Sequence, residues 1–140
     1  MTTINTLRFG VLDCVKKDSL NFSKGLLGFP AEDRFVLLRE GIQAPFMWLQ
    51  SFKSPELACV VLDPWLVSTD YQFEVSEDLK NRLNIVNVEQ VMVLGIVVIS
   101  KVPQRATINL RAPLVINLEE RLGEQVVLAD DSYDLRYPIF

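Results

Sequence analysis

Apolar and polar residues alternate along most of this chain, and alternation with a period of two predicts half-buried strands. Residues 6–15, TLRFGVLDCV, carry Leu7, Phe9 and Val11 on alternate positions and predict one strand. Further strands are predicted over 35–39 (FVLLR), 45–52 (PFMWLQSF), 57–62 (LACVVL), 88–100, 106–118 and 125–128. Residues 21–30, NFSKGLLGFP, hold two glycines and a proline and predict a loop, and Glu40-Gly41 predicts a turn. In KSPEL, Ser54 is placed to cap a single turn with Pro55 in first position.

Only 76–83, SEDLKNRL, changes period. Ser76 is an N-cap candidate, Glu77 and Asp78 fall in the first turn, and Leu79 and Leu83 lie four apart, which predicts a short amphipathic helix. Gly95, inside the longest apolar strand, predicts a bulge or sharp bend of the kind that closes a curved sheet. Many short strands with turn signals and one helix point to a mostly β chain, a small antiparallel barrel or a sandwich.

One stretch resists a simple strand reading. In 106–117, ATINLRAPLVIN, the residues Ile108, Leu110, Leu114 and Ile116 alternate as a strand should, yet Asn109, Arg111 and Pro113 interrupt it. Pro113 has no N–H to give a ladder, so it marks an edge or a bulge. Asn109 either satisfies backbone groups at the break or faces a partner; the pattern leaves both open. On 45–52, Phe46, Trp48 and Gln50 share one face, and alternation does not say whether it points inward.

With 140 residues, 49% of them hydrophobic and 23% charged, the chain reads as one globular domain over 1–140. Its longest apolar run, 91–99, is far short of the ~20 residues a membrane helix needs. The opening MTTINTLRFG lacks the basic and apolar regions of an export signal, so the expected compartment is the cytosol, with Cys14 and Cys59 as buried thiols. Charge is uneven. Residues 1–111 balance 12 basic against 12 acidic side chains, so the net −4 belongs wholly to 112–140. That end repels phosphate backbones; it serves as a solvated surface or attracts a basic protein.

Catalytic signals are sparse. There is no histidine, and the two cysteines lie far apart, so neither a zinc cluster nor an activated thiol is expected. GLLG at 25–28 is no phosphate loop. The pairs Glu119-Glu120 and Asp130-Asp131 read as solvated surface, because adjacent carboxylates on extended chain point apart. No enzyme and no cofactor is expected.

Taken in order, Asn21-Phe22, GLLGF at 25–29, PFMWLQSF, Asp63-Pro64 and Asp70-Tyr71 resemble the flagellar assembly factor family FliW. The later string Thr107-x-Asn109-Leu110-x-Ala112-Pro113-Leu114-x-Ile116-Asn117, with Gln125 to Leu128 and Tyr133, is similar to that family's C-terminal signature. The family usually has Pro-Gly-Phe where this chain has Leu27-Gly28-Phe29, and a Phe is common near Ala58 and Cys59. The resemblance implies a small, strongly bent antiparallel β-barrel with one short helix. It also implies a cytosolic protein that binds flagellin and, when free of it, the translational regulator CsrA, whose repression of flagellin translation it relieves allosterically.

The expected partner-facing residues are Phe29, Phe46, Gln50, Asn109, Arg111, Pro113, Asp130 and Asp131. The kinked segment 109–113 and the loop 28–30 are expected to border one surface, with the acidic end steering the basic regulator. A different class competes: a small barrel that stacks single-stranded nucleic acid on Phe46, Trp48, Phe52 and Trp65, against which the acidic balance counts.

Overall fold

The computed structural model describes the backbone of residues 2–14, 19–39, 41–101 and 104–139, and the side chains of 6–10, 12, 19–39, 41–100 and 105–139. The side chains of Val11 and Cys14, and the whole of Val15 and Glu40, fall outside the described set. The strands are β1 Thr2–Thr6, β2 Gly10–Cys14, β3 Ser19–Asn21, β4 Arg34–Leu38, β5 Met47–Ser51, β6 Ala58–Leu62, β7 Val91–Lys101, β8 Gln104–Ile108, β9 Leu114–Asn117, β10 Leu122–Gln125 and β11 Tyr137–Pro138. The helix α1, Glu77–Arg82, lies between β6 and β7.

Seven strands, ordered β7-β6-β5-β4-β3-β10-β9 and back to β7, close a barrel. Its pairings are antiparallel except at the seam, where β10 meets β3 in parallel through Leu122 and Asn21. Arg121 reinforces that seam: its carbonyl accepts from Asn21 N–H at 2.9 Å and its Nε donates to the Ser19 carbonyl at 3.2 Å. β8 and β11 extend the sheet beyond the ring, and among the described residues β1 pairs only with β2.

Both faces of the barrel wall are covered, which is why the strands are so apolar. Leu20, Phe22, Phe35, Leu49, Val61, Leu94, Leu114 and Ile116 fill the interior. A second cluster lies outside the wall, where Val60, Leu62, Val97, Ala106 and Ile108 pack against Tyr71, Leu110 and Leu128. Cys59 alternates with Val60 and packs against the interior cluster, and burial raises its thiol pKa. In a Cys14→Ser background, Cys59 is therefore expected to react with an aromatic disulfide at pH 8 about tenfold slower than in the urea-unfolded chain. Equal rates would contradict this placement.

Helix α1 forms as its sequence dictates. Ser76 Oγ accepts from Leu79 N–H at 3.1 Å, Leu79 and Leu83 are buried, and Asn84 takes φ 55° just past the end. With Ile85 N–H bonded to the Lys80 carbonyl at 2.8 Å, this is a Schellman-type stop.

Three sequence expectations need correction. The strand predicted over 6–15 is a hairpin, β1 and β2, whose turn occupies 7–9. Thr6 Oγ1 accepts from Phe9 N–H and donates to the Gly10 carbonyl, both at 2.8 Å, and Gly10 takes the left-handed φ of 70°. Residues 54–57 form a β-turn closed by Leu57 N–H on the Ser54 carbonyl, and Ser54 Oγ donates to Glu32 instead of capping. The last barrel strand is 122–125, earlier than the predicted 125–128, because Asn117 Oδ1 and Arg121, at φ 58°, shape the turn that fixes its register.

Candidate protein-interaction surface

The interrupted stretch 106–117 is one long partner of β7 with a bulge in the middle. Ile108 pairs with Val97 and Leu114 with Leu94, so five residues, 109–113, oppose only Gly95 and Ile96. Three extra residues is an odd number, so the side-chain alternation changes face across the bulge. Ile108 and Leu110 accordingly join the outer cluster, while Leu114 and Ile116 enter the barrel. A Cβ on Gly95 would lie 2.6 Å from the Ile108 side chain, which is why a glycine sits opposite the break.

Asn109 builds the bulge. Its Oδ1 accepts from Arg111 N–H at 3.0 Å and Ala112 N–H at 2.9 Å, replacing the ladder that Pro113 cannot extend. Nor does the bulge offer a free edge. The carbonyls of Pro113 and Arg111 accept from Val126 and Leu128 N–H, and Leu110 N–H donates to the Asp134 carbonyl, at 2.8–2.9 Å. Pro113 itself is buried.

The other bordering loop is a tight turn. Leu26 and Phe29 exchange backbone hydrogen bonds of 2.8 and 3.1 Å around Leu27 and Gly28, and Gly28 takes φ 85° as the second central residue of a type II turn does. The turn throws two apolar side chains into solvent, Leu27 at 56% exposure and Phe29 at 47%.

Gln125 joins the two segments. Its Oε1 accepts from Leu27 N–H at 2.8 Å and its Nε2 donates to the Ala112 carbonyl at 3.0 Å. Two residues on, Val127 is 59% exposed. Neither Leu27, Gln125 nor Val127 is among the residues nominated from sequence. For Gln125 and Val127 the signal is alternation in QVVL, where the two share the face opposite Val126 and the buried Leu128.

The nominated residues divide. Phe29, Asp130 and Asp131 are exposed and Arg111 is half-buried, its Nε without a partner. Hydrogen bonds from Ser132, with the Arg111 guanidinium adding to them, hold the Asp130 carboxyl below its usual range. Phe46 packs half-buried in the outer cluster. Gln50 does not offer its side chain to a partner: it is fully buried, and its amide N–H groups donate to the carbonyls of Ser51, Ser54, Pro55 and Leu57. Beside it, Trp48 lies under the Arg8 guanidinium, 4.1 Å from the ring centroid, with Phe9 edge-on at 6.1 Å. Trp65 donates its Nε1–H to the Tyr71 carbonyl at 2.5 Å and stacks edge-on with the Tyr71 ring. Trp48 and Trp65 are thus engaged within the chain rather than ranged as an open stacking platform.

Among the described residues no three His, Cys, Asp or Glu gather as a metal site, and no helix is long and apolar enough to cross a membrane.

Comparison with known proteins gives a consistent result. The model of the family described as FliW protein matches residues 3–139. A flagellar assembly factor FliW of Caldanaerobacter subterraneus subsp. tengcongensis is 38% identical over 137 residues, covering 97% of this chain and 91% of its own. One from Syntrophus aciditrophicus is 39% identical over 136 residues, covering 97% and 86%. The crystal structure of a flagellar assembly factor FliW superposes with a TM-score of 0.91 at 32% identity, over 99% of this chain and 97% of that one.

Proposed function

Because the chain belongs to the FliW family of flagellar assembly factors, we propose that it acts by binding two proteins in turn in the cytosol. It holds flagellin while that subunit accumulates, and once freed it binds the translational regulator CsrA and lifts its repression of flagellin mRNA from a site away from the RNA surface. The observation that carries the reading is the set Leu27, Phe29 and Val127. These three apolar side chains stand 47–59% exposed, and Gln125 ties their two segments together on a closed barrel. Exposed apolar groups held on a rigid support are the usual core of a protein contact. Arg111, whose carbonyl accepts from Leu128 N–H, and Asp130, whose carboxyl feels the Arg111 charge, supply charges for orientation.

Titration of the purified chain with flagellin and with CsrA tests the proposal. Micromolar or tighter binding of both, with flagellin displacing CsrA, is the expected result, and binding of neither overturns it. Val127→Asp is expected to weaken the apolar contact by about tenfold or more. Its melting temperature should hardly move, since Val127 is an exposed side chain. Unchanged affinity for both partners would remove this face from the interface.

A further inference from the structure

A groove of about 570 Å³ opens between residues 73–77 and 85–88 and shares no lining residue with the Leu27–Val127 face. Its walls are apolar, formed by Phe73, Val75, Ile85, Val86 and Val88. Val86 and Val88 are 85% and 82% exposed, so two β-branched apolar side chains stand in water on one lip.

The opposite lip is unpaired backbone. Residues 73–75 lie outside any helix, strand or turn, and among the described residues no N–H or C=O of Phe73, Glu74 or Val75 has a hydrogen-bond partner. The segment is nevertheless held at both ends. Tyr133 Oη accepts from Gln72 N–H at 3.1 Å and donates to the Gln72 carbonyl at 2.7 Å, while Ser76 caps α1. A stretch pinned at both ends with unpaired backbone groups can template an added strand.

Charge selects the kind of strand. Glu74 and Glu77 line the groove, and Asp78 and Glu89 adjoin it in sequence. Lys80, the one base lining it, pairs with Glu77 at 3.2 Å, which among the described residues leaves Glu74 as the unpaired charge of the lining. An acidic rim around an apolar floor favours a segment whose residues alternate apolar and basic, with the apolar side chains turned into the groove.

We infer that this groove is a second binding site, which takes an extended polypeptide segment of alternating apolar and basic residues as a strand beside residues 73–75. It is independent of the partner surface above.

The test uses the full chain and two synthetic hexapeptides, acetyl-VKVKVK-amide and acetyl-VEVEVE-amide, followed by amide NMR and hydrogen exchange. The lysine peptide should shift the amides of 73–77 and 85–88, slow exchange within 73–75, and bind roughly tenfold tighter than its glutamate counterpart. The double variant Val86→Ser, Val88→Ser should lose this response while keeping its circular dichroism spectrum. Shifts confined to other residues, equal response to both peptides, or no slowing at 73–75 would overturn the inference. So would concentration-dependent shifts of the groove without peptide, because a second copy of the chain would then be its occupant.

Discussion

Gly25→Ala is expected to be the most damaging single-methyl change in the loop 25–30. Gly25 holds φ 67°, and a Cβ there would lie 2.5 Å from the Phe29 carbonyl oxygen and 2.6 Å from the Pro30 carbonyl. Backbone does not yield as a side-chain tip does, so the turn around Leu27 and Gly28 must open. Left-handed strain and the collision together should cost about 3 kcal/mol, or roughly a 10 °C fall in melting temperature. Binding should suffer further, because Leu27 and Phe29 lose their fixed positions. Gly28→Ala separates the two causes. Gly28 also has a positive φ, 85°, but nothing lies within 4 Å of a Cβ there. Strain alone then costs about 1–2 kcal/mol. If the two variants melt together, the close approach of residues 29 and 30 to Gly25 is not what requires the glycine.

Asn117→Ala carries the second large effect, and it acts on the frame instead of the surface. Asn117 is fully buried, its Nδ2 donating to the carbonyls of Leu83 at 2.8 Å and Asn84 at 3.2 Å. Its Oδ1 accepts from Glu119 and Glu120 N–H at 3.1 and 3.2 Å. One side chain thus completes the end of α1 and shapes the turn between β9 and β10. Alanine strands four backbone groups, and with partial hydration of the exposed turn the loss should be about 3 kcal/mol, read as a lower urea midpoint. Melting of α1 apart from the barrel is not expected, because Leu79 and Leu83 pack on Val115 of β9. A change below about 0.5 kcal/mol, the scale of an ordinary surface substitution, would show that water replaces the amide without penalty.

The two asparagines explain what the signature in 106–117 records. Asn109 and Asn117 both accept hydrogen bonds from backbone two and three residues on, so much of the motif specifies the bulge and the following turn. The exposed apolar side chains proposed to carry the contact stand elsewhere. Leu27 occupies a place where the family usually has proline, and its N–H, which a proline would lack, is the donor to Gln125.

Alternation and capping made β4 to β7, β9 and α1 legible, because each rests on residues close in sequence, whereas the three-residue β3 was not predicted and β10 was placed three residues too late. Inside and outside were not legible for Phe46, Trp48 and Gln50. Apolar clusters cover both faces of the barrel wall, so a period of two locates a side chain on a face without saying which face is wet. Gln50 was nominated as one of the three residues sharing one face of 45–52. The carbonyls that hold it come from a loop whose course no local pattern dictates. The turn inside 6–15 was hidden for a similar reason: Gly10 was its single cue, and neither Thr6 nor Phe9 is a strong turn former. Gln125 was overlooked because its role exists only once 27 and 112 have met.

The parallel seam between β3 and β10 has a consequence for synthesis on the ribosome. β3 emerges early, and its partner follows about a hundred residues later, which at roughly 5–20 residues per second is a wait of some 5–20 s. Through that interval the nascent chain can stack β3 to β6 as a meander but has nothing to seal the edge at Asn21. Truncated translation products ending before Leu122 should therefore be the forms that chaperones retain, whereas emergence of β10 lets the ring shut.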